Sequence, residues 1–124
     1  MVIDELKSLF AEYEKALLGN DVSALKGFFW ESPETVRFGQ SENLFGAEAI
    51  NTFRLERSVK DLSREVTRVE YLVLDANYAV INMCFIRQLK GVPRNGRQTQ
   101  VWKRFPELGW KIVSAHVSLL EEPE

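Results

Sequence analysis

Two periodicities divide this chain, and the change between them near residue 58 constrains its fold more than any other feature. Before that point apolar side chains recur at helical spacing, and after it they alternate. Residues 64–74, 78–89, 97–105 and 110–119 predict four long strands. Their connections are short: Asp75-Ala76-Asn77, a hairpin loop over residues 91–96, and Pro106-Glu107-Leu108-Gly109. Parallel neighbours would need crossovers of a dozen residues or more, so the four strands form an antiparallel meander.

The first half supplies what packs on that sheet. Ile3, Leu6, Phe10, Tyr13 and Leu17 mark one face of an amphipathic helix that Gly19-Asn20 closes. Asp21 caps a short second helix to about Gly27, with Val22 and Leu25 on its inner side. Phe28-Phe29-Trp30 forms an aromatic knot, followed by a Ser32-Pro33 turn, a short strand over residues 35–38 and a turn over 39–43. A third helix over residues 46–57 buries Ala49, Ile50 and Phe53. Three helices cover only one face of a four-stranded meander. The expected architecture is therefore an α+β cone, a curved antiparallel sheet wrapped around the first helix, in one domain spanning residues 1–124.

Charge and residue counts narrow the chemistry. Sixteen Lys plus Arg against eighteen Asp plus Glu leave a net charge of −2, with no basic excess to bind nucleic acid or an anionic membrane. One His and one Cys, His116 and Cys84, are too few for the usual zinc ligand sets, so no metal and no cofactor is expected. Asp4 and Glu5 stand where a secretory signal would be basic, and the apolar run over residues 76–86 is too short to span a bilayer. A cytoplasmic protein with a frayed acidic tail over residues 121–124 is the expectation.

Several side chains admit two readings. Tyr13 lies in the inward stripe of the first helix, as a core aromatic bonded through its hydroxyl or as a catalytic group. Arg37 sits between Val36 and Phe38, whose apolar side chains should face the core. Alternation then sends Arg37 to the other face, either solvated or clamping a carboxylate at a cavity mouth. Gln98, Gln100, Trp102 and Arg104 share one face of their strand, and Trp110, Ile112, Ser114, His116 and Ser118 share one face of the next. Such mixed faces suit a pocket with a few placed polar groups or a sheet-to-sheet homodimer. His116 also reads as a hydrogen-bonded structural residue and Cys84 as a small buried hydrophobe. Asn43 reads as an Asx turn, and Glu42 as a complement to the third helix's dipole.

Helix, helix, short strand, helix and meander, ending in Gly109-Trp110-Lys111-Ile112-Val113-Ser114-Ala115-His116-Val117-Ser118, resemble the NTF2-like superfamily with its cystatin-like cone. A narrower pattern runs through four separated segments. These are Tyr13-Glu14-Lys15-Ala16-Leu17, Phe29-Trp30-Glu31-Ser32-Pro33-Glu34-Thr35-Val36-Arg37-Phe38-Gly39, Glu42-Asn43-Leu44-Phe45-Gly46 and Gly96-Arg97-Gln98-Thr99-Gln100-Val101-Trp102. Together they resemble the AtzH-like family, associated with cyanuric acid and oxalurate catabolism. The resemblance implies a decarboxylating amidohydrolase acting on a small anionic carboxylated urea or ureido acid. It implies Tyr13 and Arg37 as the catalytic pair; Phe38, Asn43, Gln100, Trp102 and His116 are the residues expected around the substrate. Phe38 and Phe45 stand where family members often carry Tyr, which removes two hydroxyls. A non-hydrolytic isomerase or cyclase using His116 as base, or a non-catalytic binding or dimerisation module, are the competing expectations.

Overall fold

The computed structural model describes residues 1–57 and 63–121; the expected frayed tail lies outside these from residue 122 onward. The elements run α1 (Val2–Leu18), α2 (Val22–Phe28), β1 (Val36–Phe38), β2 (Asn43–Phe45), α3 (Ala47–Glu56), β3 (Arg64–Asp75), β4 (Tyr78–Leu89), β5 (Val92–Phe105) and β6 (Gly109–Leu119). One curved sheet holds all six strands in the order β2-β1-β6-β5-β4-β3. The α+β cone and its four-stranded meander are therefore present. The sheet is mixed, because β1 lies parallel to β6 while every other neighbouring pair is antiparallel.

Local chemistry accounts for the helices. Asp4 and Glu5 in the first turn of α1 and Lys15 in its last complement the helix dipole. Leu6, Phe10, Tyr13, Ala16 and Leu17 are its buried residues, packed in the core with Ile81, Met83, Trp102, Ile112 and Ala115 of the sheet. Trp110 donates from Nε1 to Glu5 at 3.2 Å, which ties the start of α1 to β6. Asn20 ends the α1 connection in the left-handed region (φ 44°), a conformation that Asn tolerates better than most residues. Asp21 caps α2 by accepting from the Ala24 amide at 3.1 Å.

Three local expectations need correction. Residues 43–45 form a strand, β2, paired with β1, where the turn was expected to run on to residue 43. The loop expected over residues 91–96 is a two-residue turn, Lys90-Gly91, with both φ angles positive (52° and 81°) and Leu89 paired with Val92. That geometry matches the twist of a tight hairpin, so β5 begins five residues earlier than alternation from Arg97 suggests. In β6 the pairing shifts between Val101–Ser114 and Trp102–Ile112, leaving Val113 as an extra residue. Alternation resets there: Ile112 and Ala115 face the core, and Ser114 and His116 face out.

Strand pairing then fixes two rows across the sheet. On the concave side Arg37, Ala115, Gln100, Ile81 and Tyr71 are successive partners from β1 to β3. On the outer side the row is Phe38, His116, Thr99, Asn82 and Glu70. Cys84 also faces out, because Met83 and Phe85 take the inward positions of β4; it is exposed, against the expectation of a buried hydrophobe. Gly96 is required where Phe85 lies across β5, since a Cβ there would stand 2.3 Å from the Phe85 ring.

Candidate active site

The concave row places Arg37 and Gln100 two strands apart, with only the small Ala115 between them. Neighbouring strands are roughly 4.8 Å apart. Arg37 faces inward and is 7% exposed, the reverse of the alternation expected of residues 35–38. Val36 and Phe38 point outward instead, because β1 lies between β2 and β6 and its outer side carries part of the sheet's apolar face.

Above this row stands Tyr13, 1% exposed, held edge-on to Phe28 (ring centroids 5.6 Å, 88°) and tilted against Phe29 (6.4 Å, 49°). Phe29 also carries Arg54, whose guanidinium lies 5.1 Å from the ring centroid. Arg54 comes from α3, on the stripe that also buries Ala47 and Ile50, and is fully buried. Its Nε and both terminal nitrogens have no hydrogen-bond partner, as is true of Nε and Nη1 of Arg37. Arg37 and Arg57 both pack on Phe53, at 5.5 and 5.8 Å from its centroid.

Carboxylates compensate this positive charge only in part. Glu14 is fully engaged by Arg64 through bonds of 3.0 and 2.5 Å. Glu42 approaches Arg37 at 3.9 Å, too far for a hydrogen bond, and does not sit at the α3 N-terminus as expected. Gly39 makes room for that carboxylate, since a Cβ at residue 39 would meet it at 2.2 Å. Among the described residues, the guanidiniums of Arg37, Arg54, Arg57, Arg64 and, beside Arg57, Arg87 thus outnumber the carboxylates of Glu14 and Glu42.

The electrostatics show in the ionisable groups. Burial pushes the Tyr13 hydroxyl up, but Arg54, Arg37 and Arg64 together outweigh it and hold it below the ordinary tyrosine range. Burial lowers Arg37, and the charge of Arg54 lowers it further. Arg57 is brought down to about 10 by burial and by the charges of Arg54 and Arg37. Arg54 is fully buried with no carboxylate partner among the described residues, and such a charge costs several kcal/mol, on the order expected where an anion is meant to arrive.

Comparison with known proteins now adds what geometry alone does not. A model of the AtzH-like family matches residues 1–123. The chain belongs to the AtzH-like family. A protein of unknown function from Pectobacterium atrosepticum is 41% identical, with a TM-score of 0.89 over 97% of this chain and 91% of that one. A cystatin-like fold protein from Burkholderia xenovorans is 38% identical, with a TM-score of 0.89 over 98% and 94%. An NTF2-like superfamily protein from Salmonella enterica is 25% identical, with a TM-score of 0.80 over 99% and 94%. No curated protein matches.

In this AtzH-like chain the structure brings Tyr13, Arg37, Gln100 and Trp102 to the concave side. Trp102 donates from Nε1 to Gln100 Oε1 at 3.0 Å, leaving Gln100 Nε2 without a partner, as is Gln98 Oε1. Phe38, Asn43 and His116 do not join them. Phe38 and His116 pack edge to face on the outer side at 5.6 Å, and Asn43, paired with Phe38, is exposed. Gln98 joins the concave group from the mixed face of its strand, as expected, whereas Arg54 and Arg57 carry no signal of their own in the sequence pattern. Only the spacing of Arg54, four residues after Ile50, signals that it continues the buried stripe of α3. Among the described residues no three His, Cys, Asp or Glu side chains converge, and no helix is long and apolar enough to cross a membrane.

Proposed function

We propose that this protein hydrolyses the C–N bond of a small carboxylated urea or ureido acid, releasing the carboxyl carbon as carbon dioxide or bicarbonate. The observation that carries the reading is the buried guanidinium of Arg37, whose Nε and Nη1 make no hydrogen bond and which Glu42 approaches only to 3.9 Å, on the same side of the sheet as Tyr13. A guanidinium matches a carboxylate in both shape and charge, and its fork orients a planar substrate. In the reaction the bond between nitrogen and the carboxylated carbon breaks and its electron pair stays on nitrogen. The nitrogen takes a proton from the Tyr13 hydroxyl, and a water restores that proton, its hydroxide combining with the released carbon dioxide as bicarbonate, so one water is consumed for each bond broken. Arg37 holds the carboxylate, and the buried amide nitrogen of Gln100, which has no hydrogen-bond partner, is free to bond a substrate carbonyl.

An isomerase or cyclase would need a base inside the cone. His116 lies on the outer face, and Glu14 and Glu42 both face arginines. Turnover of 1,3-dicarboxyurea and related ureido acids tests the hydrolase reading. Tyr13→Phe and Arg37→Ala should each lose roughly 10²–10⁴-fold in kcat/KM. Wild-type rates in both variants would overturn it.

The same reading includes a homodimer through the outer face of the sheet. Val36, Ser114, Val101, Val80 and Leu72 are successive partners there, a mainly apolar row with Leu72 half exposed.

A further inference from the structure

Arg54 is the side chain in this molecule whose position is hardest to explain by stability. It is fully buried, and three of its nitrogens are without partners. It stacks on Phe29, the ring that Tyr13 also touches. Two contacts fix the segment that carries it. Asn20 donates from Nδ2 to the Arg54 carbonyl at 3.1 Å and accepts from Arg57 Nε at 2.9 Å. Asn20 closes α1, the helix that carries Tyr13 two turns earlier. One residue therefore locks the helix bearing the phenol to the helix bearing the guanidinium.

We propose that Arg54 is a positioning residue that governs the proton of Tyr13, and that Asn20 holds it in place. Arg37 is then left for the substrate carboxylate, so the two buried arginines divide the work. This rests on Tyr13 as the proton donor, but the decisive measurement needs no turnover. The other charged groups near the phenol are Arg37 on β1, Arg64 on β3 with its partner Glu14 on α1, and Arg57 beyond α3. Glu42 faces Arg37 from the segment before β2. Arg54 is distinguished from these by sharing the Phe29 ring with Tyr13 and by having no carboxylate partner among the described residues.

The experiment follows Tyr13 by NMR of ¹³C-labelled tyrosine across a pH titration, with its signal assigned from Tyr13→Phe. Wild type should ionise below 10, and Arg54→Met should raise the midpoint by roughly one to three pH units. Arg54→Lys should restore part of the difference. Asn20→Gly, which keeps the left-handed backbone and loses both pins, should shift the midpoint in the direction of Arg54→Met. In turnover, the alkaline limb of the kcat profile should move with the same midpoint. An unchanged Tyr13 titration in folded Arg54→Met and Arg54→Lys would overturn the proposal. So would a rise in KM with the kcat pH profile unmoved, which would make Arg54 a substrate anchor. A moved titration in a protein without hydrolase activity would uphold this inference and defeat the functional reading alone.

Discussion

Arg54 and Arg64 are both arginines facing into the cone, and removing the charge of the first or the carboxylate partner of the second should change stability in opposite directions. Arg64 is bonded twice to Glu14 and lies 4.7 Å from the Phe85 ring centroid, so its charge is compensated. Glu14→Ala would leave that guanidinium largely buried and unpaired, and should destabilise the protein by about 3 kcal/mol. Arg54 has no such partner, so Arg54→Met exchanges an uncompensated charge for an apolar chain of similar length. It should stabilise by about 1–4 kcal/mol. Urea denaturation of the two variants checks both signs, and a loss of stability in Arg54→Met would refute the account of that charge. Tyr13 was legible in the sequence because it sits within an apolar stripe of strict helical spacing. Arg54 was not, because a helix face is read from its apolar residues and an arginine at the next position reads as solvated. Arg37 was assigned the wrong face for a related reason. Its apolar neighbours were taken to mark the core, whereas the outer side of this sheet is apolar too.

At the scale of elements, long periodic segments were legible and short or irregular ones were not. α1, the Asp21 cap and the four meander strands follow from spacing and turn residues over many positions. β1 and β2 have three residues each, too few to carry a period, and β2 exists through its pairing with β1. The tight turn at Lys90-Gly91 was hidden by Pro93, Asn95 and Gly96, which resemble loop residues but lie within β5. Gly91 needs its positive φ, so Gly91→Ala should cost about 1–2 kcal/mol. The turn lies at the far end of the β4–β5 hairpin, away from Tyr13 and Arg37, so kcat should stay at the wild-type value. Thermal denaturation and steady-state kinetics on one preparation test both halves of that expectation.

For the whole molecule, the sheet separates two surfaces of different use. The concave side gathers Tyr13, Arg37, Gln98 and Gln100, and the convex side carries the Val36–Leu72 row and the Phe38–His116 pair. If two copies meet on that row, Val101→Glu should convert a dimer into a monomer in sedimentation experiments while leaving the concave side intact. Sedimentation of wild type as a monomer at micromolar concentration would refute the dimer. The division between the surfaces hangs on Val113. Were Val113 paired in the ladder instead of bulged out of it, strict alternation would run through it, and every side chain beyond Ile112 would change sides, carrying His116 inward and Ala115 outward. The lining of such a cone can therefore be exchanged wholesale by taking a bulged residue into the ladder, with no substitution at all. Among distant relatives, a residue's place in the cavity is inherited through the count of residues along β6, and an alignment that closes this gap would equate side chains that never face the same way.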